Sequence, residues 1–245
     1  MTTVAIIPAR FASTRFPGKP LAKDTGKFLV QHVCEQAAAA DSIDRVIVAT
    51  DDERVLEAVE SFGGEVVMTR TDQESGTDRV AEVALDLDCD VIVNVQGDEP
   101  EIEPAALDKL VSMFEQPECR MATLACPFSV LSGADPDDPN AVKVVVNAAG
   151  QAMYFSRACI PYPRDGQYAP GGGPLLHLGT YGYRRDFLLS IAALPPTALE
   201  RTERLEQLRV LEHGYDIHVA KVECAAVGID TPDDYAAFVM RQRSK

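Results

Sequence analysis

The chain has 245 residues, 46% of them hydrophobic and 25% charged, the composition of an ordinary globular protein with one sizeable core. Its 38 acidic residues against 23 basic ones leave a net charge of −15, which argues against nucleic acid or an anionic membrane surface as partner unless basic residues are locally concentrated. Six cysteines (Cys34, Cys89, Cys119, Cys126, Cys159 and Cys224) are scattered without a CxxC pair and suggest neither a zinc site nor a disulfide framework, but the reduced thiols of a cytoplasmic protein. The start of the chain, Thr2 to Ile7 running into Pro8, lacks the pattern of a secretory signal. No apolar run approaches the roughly 20 residues that span a bilayer.

In chain order, Val4 to Ile7, Arg45 to Thr50, Glu65 to Met68 and Val91 to Val95 read as strands. Between them Phe28 to Ala40, Glu53 to Phe62 and Thr77 to Leu87 carry apolar residues three and four apart and read as helices. This alternation predicts a parallel sheet covered on both faces, with ligands bound beyond the carboxyl ends of its strands. The loops after Ile7, Thr50 and Val95 are therefore where chemistry is expected.

The second half is less regular. Met121 to Phe128, Val142 to Val146 and Ala152 to Phe155 read as strands, the last two joined by a hairpin at Asn147 to Gly150. A strand near Leu176 to Tyr183, helices at Arg185 to Leu194, Thr202 to Gly214 and Pro232 to Arg241, and a strand at Ile217 to Val222 complete a mixed α/β fold. Neither Asp135 to Pro139 nor Pro170 to Pro174 is long enough for a domain linker, so a single domain over residues 1–245 is expected.

Two stretches gather chemistry. Ile7 to Leu21 places Arg10, Arg15 and Lys19 in the loop after the first strand. In so acidic a chain, that cluster suits phosphate oxygens, which guanidinium groups grip bidentately and an ammonium meets as a point charge. The loop is not a Walker A sequence, because Lys19 lacks the preceding GxxxxG and the following Ser or Thr. Val93 to Pro100 ends a strand in Gln96, Gly97, Asp98 and Glu99, and a carboxylate there is placed to hold Mg²⁺, a hard cation that shares oxygen ligands with phosphate. Asp230 is its possible partner. It stands just outside Thr231-Pro232-Asp233-Asp234, where Thr231 reads as a helix N-cap and Pro232 as the first helical residue, so capping does not account for it.

These two stretches, with Ser75-Gly76-Thr77-Asp78-Arg79, Tyr154-Phe155-Ser156-Arg157, Leu205-Glu206-Gln207-Leu208-Arg209 and Gly228-Ile229-Asp230-Thr231-Pro232, resemble the 3-deoxy-manno-octulosonate cytidylyltransferases (CMP-Kdo synthetases) in order over nearly the whole chain. The resemblance implies a Rossmann-like nucleotide-diphosphosugar-transferase fold: a mixed, mostly parallel sheet flanked by helices, with a small β-containing lobe for dimerisation and substrate. It implies Mg²⁺ as cofactor, a homodimer, and transfer of CMP from CTP to the acidic sugar 3-deoxy-D-manno-octulosonate (Kdo) for lipopolysaccharide biosynthesis. By the same match Arg10 and Lys19 are expected on the CTP phosphates with Arg15 finishing the neutralisation. Asp98 and Asp230 are expected on the metal, and Pro8, Ala9, Ser75 and Gly76 around cytosine, with Gln96 also near the nucleotide. Gln96, Arg157, His177, Tyr181 and Glu206 are expected around the sugar.

The family usually has a histidine shortly before Ser-Gly-Thr-Asp, where this chain has Gln73-Glu74. Each sugar-side residue also has a structural reading: His177 as a core histidine, Tyr181 and Tyr183 packing on one strand face, and Glu206 pairing with Arg209 along a helix. Enzymes for another acidic sugar, such as 8-amino-Kdo or sialic acid, and a nucleotide-sugar-binding protein without turnover are the alternatives. Retention of both Asp98 and Asp230 speaks against the last.

Overall fold

In a computed structural model of the chain, residues 1–12, 15–73, 75–128, 135–223 and 228–244 are described. They form two compact units, Met1–Val111 with Ala226–Lys245, and Ser112–Ala225.

The first unit is built on strands β1 (Thr3–Pro8), β2 (Arg45–Thr50), β3 (Glu65–Met68) and β4 (Val91–Asn94), all parallel, in the order β3-β2-β1-β4. Val4 to Ile7, Ile47 to Ala49 and Val91 to Val93 are almost wholly buried, the near-continuous apolar runs of strands covered on both faces. Helices α1 (Leu29–Ala38), α2 (Glu53–Ser61) and α3 (Gly76–Ala84) follow the first three strands. Asp52 caps α2, its side chain accepting from the Arg54 amide at 3.0 Å. Between Val95 and Met121 the sequence reading places no element, yet helix α4 (Pro104–Ser112) begins there on a proline and buries Ala106, Leu107, Leu110 and Val111.

The second unit centres on β5 (Met121–Pro127). The hairpin of β6 (Lys143–Val146) and β7 (Ala152–Ser156) turns through Asn147, whose carbonyl accepts from the Gly150 amide at 3.1 Å while Gly150 takes the left-handed φ of 79°. Strand β8 (Leu175–Arg184) lies antiparallel to β5 and to β6. Helices α5 (Arg185–Ala192), α6 (Ala198–Glu203) and α7 (Gln207–Glu212) precede β9 (His218–Lys221), which pairs parallel to β5.

The single helix expected at Thr202 to Gly214 is thus two. A capping box between Thr197 and Glu200 starts α6 early, and Arg204, the one non-glycine described residue with positive φ (53°), ends it in the left-handed region. The chain closes with α8 (Pro232–Arg243), part of the first unit, opened by a second capping box in which Thr231 and Asp234 satisfy each other's amides. That box holds the Asp234 carboxyl below its usual range, the Thr231 hydroxyl being the main cause. Among the described residues no helix is long and apolar enough to cross a membrane.

Candidate active site

Carboxyl ends of parallel strands leave backbone groups and loops open, and in the first unit those of β1 and β4 approach very closely. A Cβ added to Gly97 would stand 2.7 Å from the Pro8 carbonyl oxygen, so only glycine fits the turn after β4. Gly76, the first residue of α3, comes against the Pro8 ring, and the Ala9 amide donates to the Ala49 carbonyl at 2.9 Å. Pro8, Ala9, Gly76 and Gly97 therefore gather around the end of β1. Gln96 lies in the same β4 turn, its carbonyl accepting from the Glu99 amide at 3.2 Å. The Ser75 hydroxyl is occupied as the N-cap of α3, exchanging hydrogen bonds with Asp78.

Three residues shape the basic loop. Gly18 takes φ 72°, turning the chain into a short 3₁₀ segment at Lys19–Leu21. Phe16 packs against a buried cluster of Leu29, Ile229, Tyr235, Phe238 and Val239, its ring 5.6 Å from that of Tyr235. Phe11 lies beneath the Arg54 guanidinium at 3.4 Å.

These contacts deliver the cations to specific acceptors. The Lys19 ammonium donates to Asp98 at 2.8 Å and to the Ile229 carbonyl at 2.7 Å, and its nitrogen lies 3.9 Å from an Asp230 oxygen. Asp230 also accepts from Arg15 at 2.8 Å, in a pair whose members are 65% and 47% exposed. The Ile229 amide donates to the Asp98 carbonyl at 2.8 Å, which stitches the segment before α8 to the β4 turn. Asp98 and Asp230, 132 residues apart in sequence by subtraction, thus meet around one ammonium. Arg10 donates to the Gln73 carbonyl at 2.7 Å, and the Gln73 side chain binds Glu82. Of the Gln73-Glu74 pair that stands where the family usually has a histidine, Gln73 receives Arg10 on its backbone carbonyl; Glu74 lies outside the described residues.

The donor set bears on Mg²⁺. Among the described residues no group of three His, Cys, Asp or Glu side chains is assembled for a metal. Two carboxylates around one cation fit a metal that prefers oxygen and usually completes its shell with water and phosphate.

Behind this cluster sits a residue whose burial the sequence did not reveal. Arg79 is fully buried, donates to Asp51 at 2.8 Å and to the Thr69 hydroxyl, and leaves its Nε without a partner. It clamps α3, and hence the Ser75-Gly76 turn, to the end of β2.

The remaining sugar-side candidates belong to the second unit. His177 Nε2 lies 3.0 Å from the Thr123 hydroxyl, and its ring meets Phe155 edge-on at 4.9 Å and Tyr181 at 5.3 Å. Burial pushes the imidazole down to about 3, so it is neutral at physiological pH. Burial, with the charges of Tyr183 and Glu206 nearby, holds the Tyr181 phenol well above its usual value, which keeps it a hydrogen-bond donor. Tyr181 stacks on Tyr183 at 6.0 Å.

Glu206 caps α7. Arg209 forks onto Glu200 at 2.8 and 2.6 Å, because the early start of α6 brings that carboxylate within reach. The Arg157 guanidinium donates to the carbonyls of Glu203 at 2.7 Å, Pro139 at 2.9 Å and Arg204 at 3.4 Å, tying the α6–α7 junction in place. The structure thus brings His177 and Tyr181 together, with Glu206 near enough to bias the phenol, and engages Arg157 with backbone.

Comparison with known proteins places this geometry in a class. The family model described as Cytidylyltransferase matches residues 4–217. The 3-deoxy-manno-octulosonate cytidylyltransferase of Syntrophotalea carbinolica is 51% identical over 96% of both chains, and that of Geobacter metallireducens is 52% identical over 96% of this chain and 95% of its own. A solved structure of CMP:2-keto-3-deoxy-manno-octonic acid synthetase complexed with CTP superposes with a TM-score of 0.93 at 43% identity, covering 100% of this chain and 99% of its own. The chain is a cytidylyltransferase by fold and family. It belongs to the 3-deoxy-manno-octulosonate cytidylyltransferases.

Proposed function

We propose that the protein transfers CMP from CTP to the anomeric hydroxyl of Kdo and releases pyrophosphate. The observation that carries this reading is the convergence of Asp98 and Asp230 on the Lys19 ammonium at the strand ends of the first unit. Relatives about half identical over nearly their full length, and a solved relative crystallised with CTP, support the choice of substrates.

In the proposed reaction the sugar hydroxyl attacks the α-phosphorus and pyrophosphate leaves in line. The protein need form no covalent bond, and positioning with charge neutralisation supplies the catalysis. Pro8, Ala9 and Gly76 present backbone at close range to the cytosine edge. Arg10, Arg15 and Lys19 exchange their internal acceptors for phosphate oxygens, Lys19 taking the β or γ phosphate. Asp98 and Asp230, released from those cations, hold Mg²⁺. When bound, the ion polarises the α-phosphate and lowers the pKa of the sugar hydroxyl. Gln96, Arg157, His177, Tyr181 and Glu206 orient the sugar acid.

A homodimer is part of the proposal. Support comes from the second unit, where Met153 and Tyr162 are 63% and 83% exposed, large apolar side chains of the kind that subunit contacts cover. A cytoplasmic setting is supported by the free thiols of Cys34, Cys89, Cys119, Cys126 and Cys159; Cys224 lies outside the described residues.

The test is pyrophosphate release with CTP, UTP or ATP against a panel of acidic sugars that includes Kdo, 8-amino-Kdo and sialic acid. Turnover confined to CTP with Kdo is expected. Equal efficiency with sialic acid overturns the sugar assignment and spares the cytidylyl transfer.

A further inference from the structure

Thr123 is fully buried on β5, opposite an irregularity in β8. It pairs with Tyr181, whereas its neighbour Leu124 pairs with Leu178, so Gly179 and Thr180 are extra residues on β8. The Thr123 hydroxyl projects into this bulge. It stands 2.9 Å from the Thr180 carbonyl, 3.2 Å from the Leu178 carbonyl and 3.0 Å from His177 Nε2.

A hydroxyl has one proton and two lone pairs, and a carbonyl oxygen can only accept. With two carbonyls in reach, the Thr123 proton is spent on them. The oxygen then accepts from the third neighbour, and Nε2 must carry the hydrogen. Because burial keeps the ring neutral, Nδ1 is left unprotonated, an acceptor. Phe155 and Tyr181 fix the plane of the ring on two sides.

We propose that Thr123 is a positioning residue that sets His177 in the neutral Nε2–H tautomer, so that Nδ1 accepts a hydrogen bond from a hydroxyl of the sugar. This rests on the reading above that His177 belongs to the sugar site, and it assigns His177 to a hydroxyl instead of the carboxylate. A ring free to hold the other tautomer would meet that hydroxyl with a donor, against which the hydroxyl can only turn its lone pairs. The bulge therefore has a function beyond bending the strand: it supplies the carbonyls that orient the threonine proton.

Nitrogen NMR of protein labelled with ¹⁵N-histidine reads the tautomer without substrate, and steady-state kinetics read its consequence. The free wild-type protein is expected to show His177 as Nε2–H. Thr123→Val, which keeps the shape and removes the hydroxyl, is expected to mix the tautomers and raise the sugar KM about tenfold, the worth of one hydrogen bond, with the KM for CTP near wild type. Thr123→Ser is expected to restore both.

An Nδ1–H tautomer in the wild type overturns the proposal whether or not the valine variant folds. So does a valine variant with unchanged tautomer and sugar KM, or a serine variant as impaired as valine, since either makes Thr123 a packing residue. If the tautomer is as expected but no acidic sugar supports pyrophosphate release, the functional reading falls and takes the hydroxyl assignment with it. If Kdo turns over and only the Thr123 effects are missing, the positioning role alone falls.

Discussion

Replacing Lys19 by methionine should change two affinities in opposite directions. In the free protein its ammonium sits 2.8 Å from Asp98 and 3.9 Å from Asp230, where it offsets the repulsion between the two carboxylates proposed as the ligands of a divalent ion. A unit charge pair at about 4 Å is worth about 1 kcal/mol in water and about 4 kcal/mol at the screening typical near a protein surface. Asp98 and Asp230 are 30% and 47% exposed, which places the effect in the lower half of that range, about 1.5 to 2.5 kcal/mol. The nucleotide-free variant should therefore bind Mn²⁺, used as a paramagnetic reporter for Mg²⁺, about 10- to 60-fold more tightly than the wild type. With Lys19 on the β or γ phosphate as proposed, calorimetry of the same variant should show weaker CTP binding and nearly unchanged CMP binding. Mn²⁺ affinity that is equal or weaker in a folded variant refutes the shared-site argument. Equal losses for CTP and CMP move Lys19 to the α-phosphate or to a structural role.

Asp98→Asn and Asp230→Asn should each keep the fold and lose most turnover, since an amide poorly replaces a charged metal ligand, and the double variant should be little worse than either. Near-wild-type turnover of either at saturating Mg²⁺ sinks the ligand assignment. Arg79→Met should lower the unfolding free energy in urea by about 3 kcal/mol, the lower end of the cost of stranding one partner of a buried ion pair, because Asp51 keeps 20% of its surface. A loss under about 1 kcal/mol would show that water reaches Asp51 freely. For His177 the sign follows from a folded pKa near 3 against an ordinary 6.5: between those values the unfolded chain binds the proton and the folded chain does not, so stability falls as pH drops. His177→Phe should flatten that fall by up to about 1.4 kcal/mol per pH unit, read from urea midpoints at several pH values; parallel profiles would place the imidazole in contact with solvent.

How legible each part was depends on the range of the interaction that fixes it. The bounds of β2 and β3 are legible to the residue, because each is a short β-branched run entered by one charged residue, although only Ile47 to Thr50 of β2 are buried and the edge strand β3 is partly exposed. The N-cap at Thr231 with Pro232 as first helical residue is equally local, and it leaves the Asp230 side chain outside the cap, although the Asp230 amide donates to Asp234. α4 has no counterpart among the predicted elements, although Pro104 at its start and the spacing of Leu107, Leu110 and Val111 are the local marks of a helix. The break at Arg204 was not readable, because nothing in an arginine signals left-handed backbone; the contacts of Arg157 with the Glu203 and Arg204 carbonyls accompany it, and they come from 46 and 47 residues away. Thr123 was invisible for the same reason. Its partner His177 is 54 residues distant, and only the register of β5 on β8 brings them together.

The net charge of −15 gives the basic loop a further meaning. A chain with that excess of carboxylates need not leave cations idle, and all three in the loop have internal acceptors: Arg10 on a carbonyl, Arg15 on Asp230, Lys19 on Asp98. A phosphate arriving alone at Arg15 or Lys19 must draw the cation from Asp230 or Asp98 and leave that carboxylate less well compensated, which offsets part of what it gains. Under the proposed assignments, a triphosphate that arrived with a divalent ion would exchange partners on both sides at once, phosphate for carboxylate at the cations and metal for cation at Asp98 and Asp230. Selectivity for the metal-bound nucleotide over inorganic phosphate would then follow from the charge pairing of the free protein, without requiring a dedicated recognition element. Binding of CTP and of the ion should accordingly be coupled, each strengthening the other by the same factor.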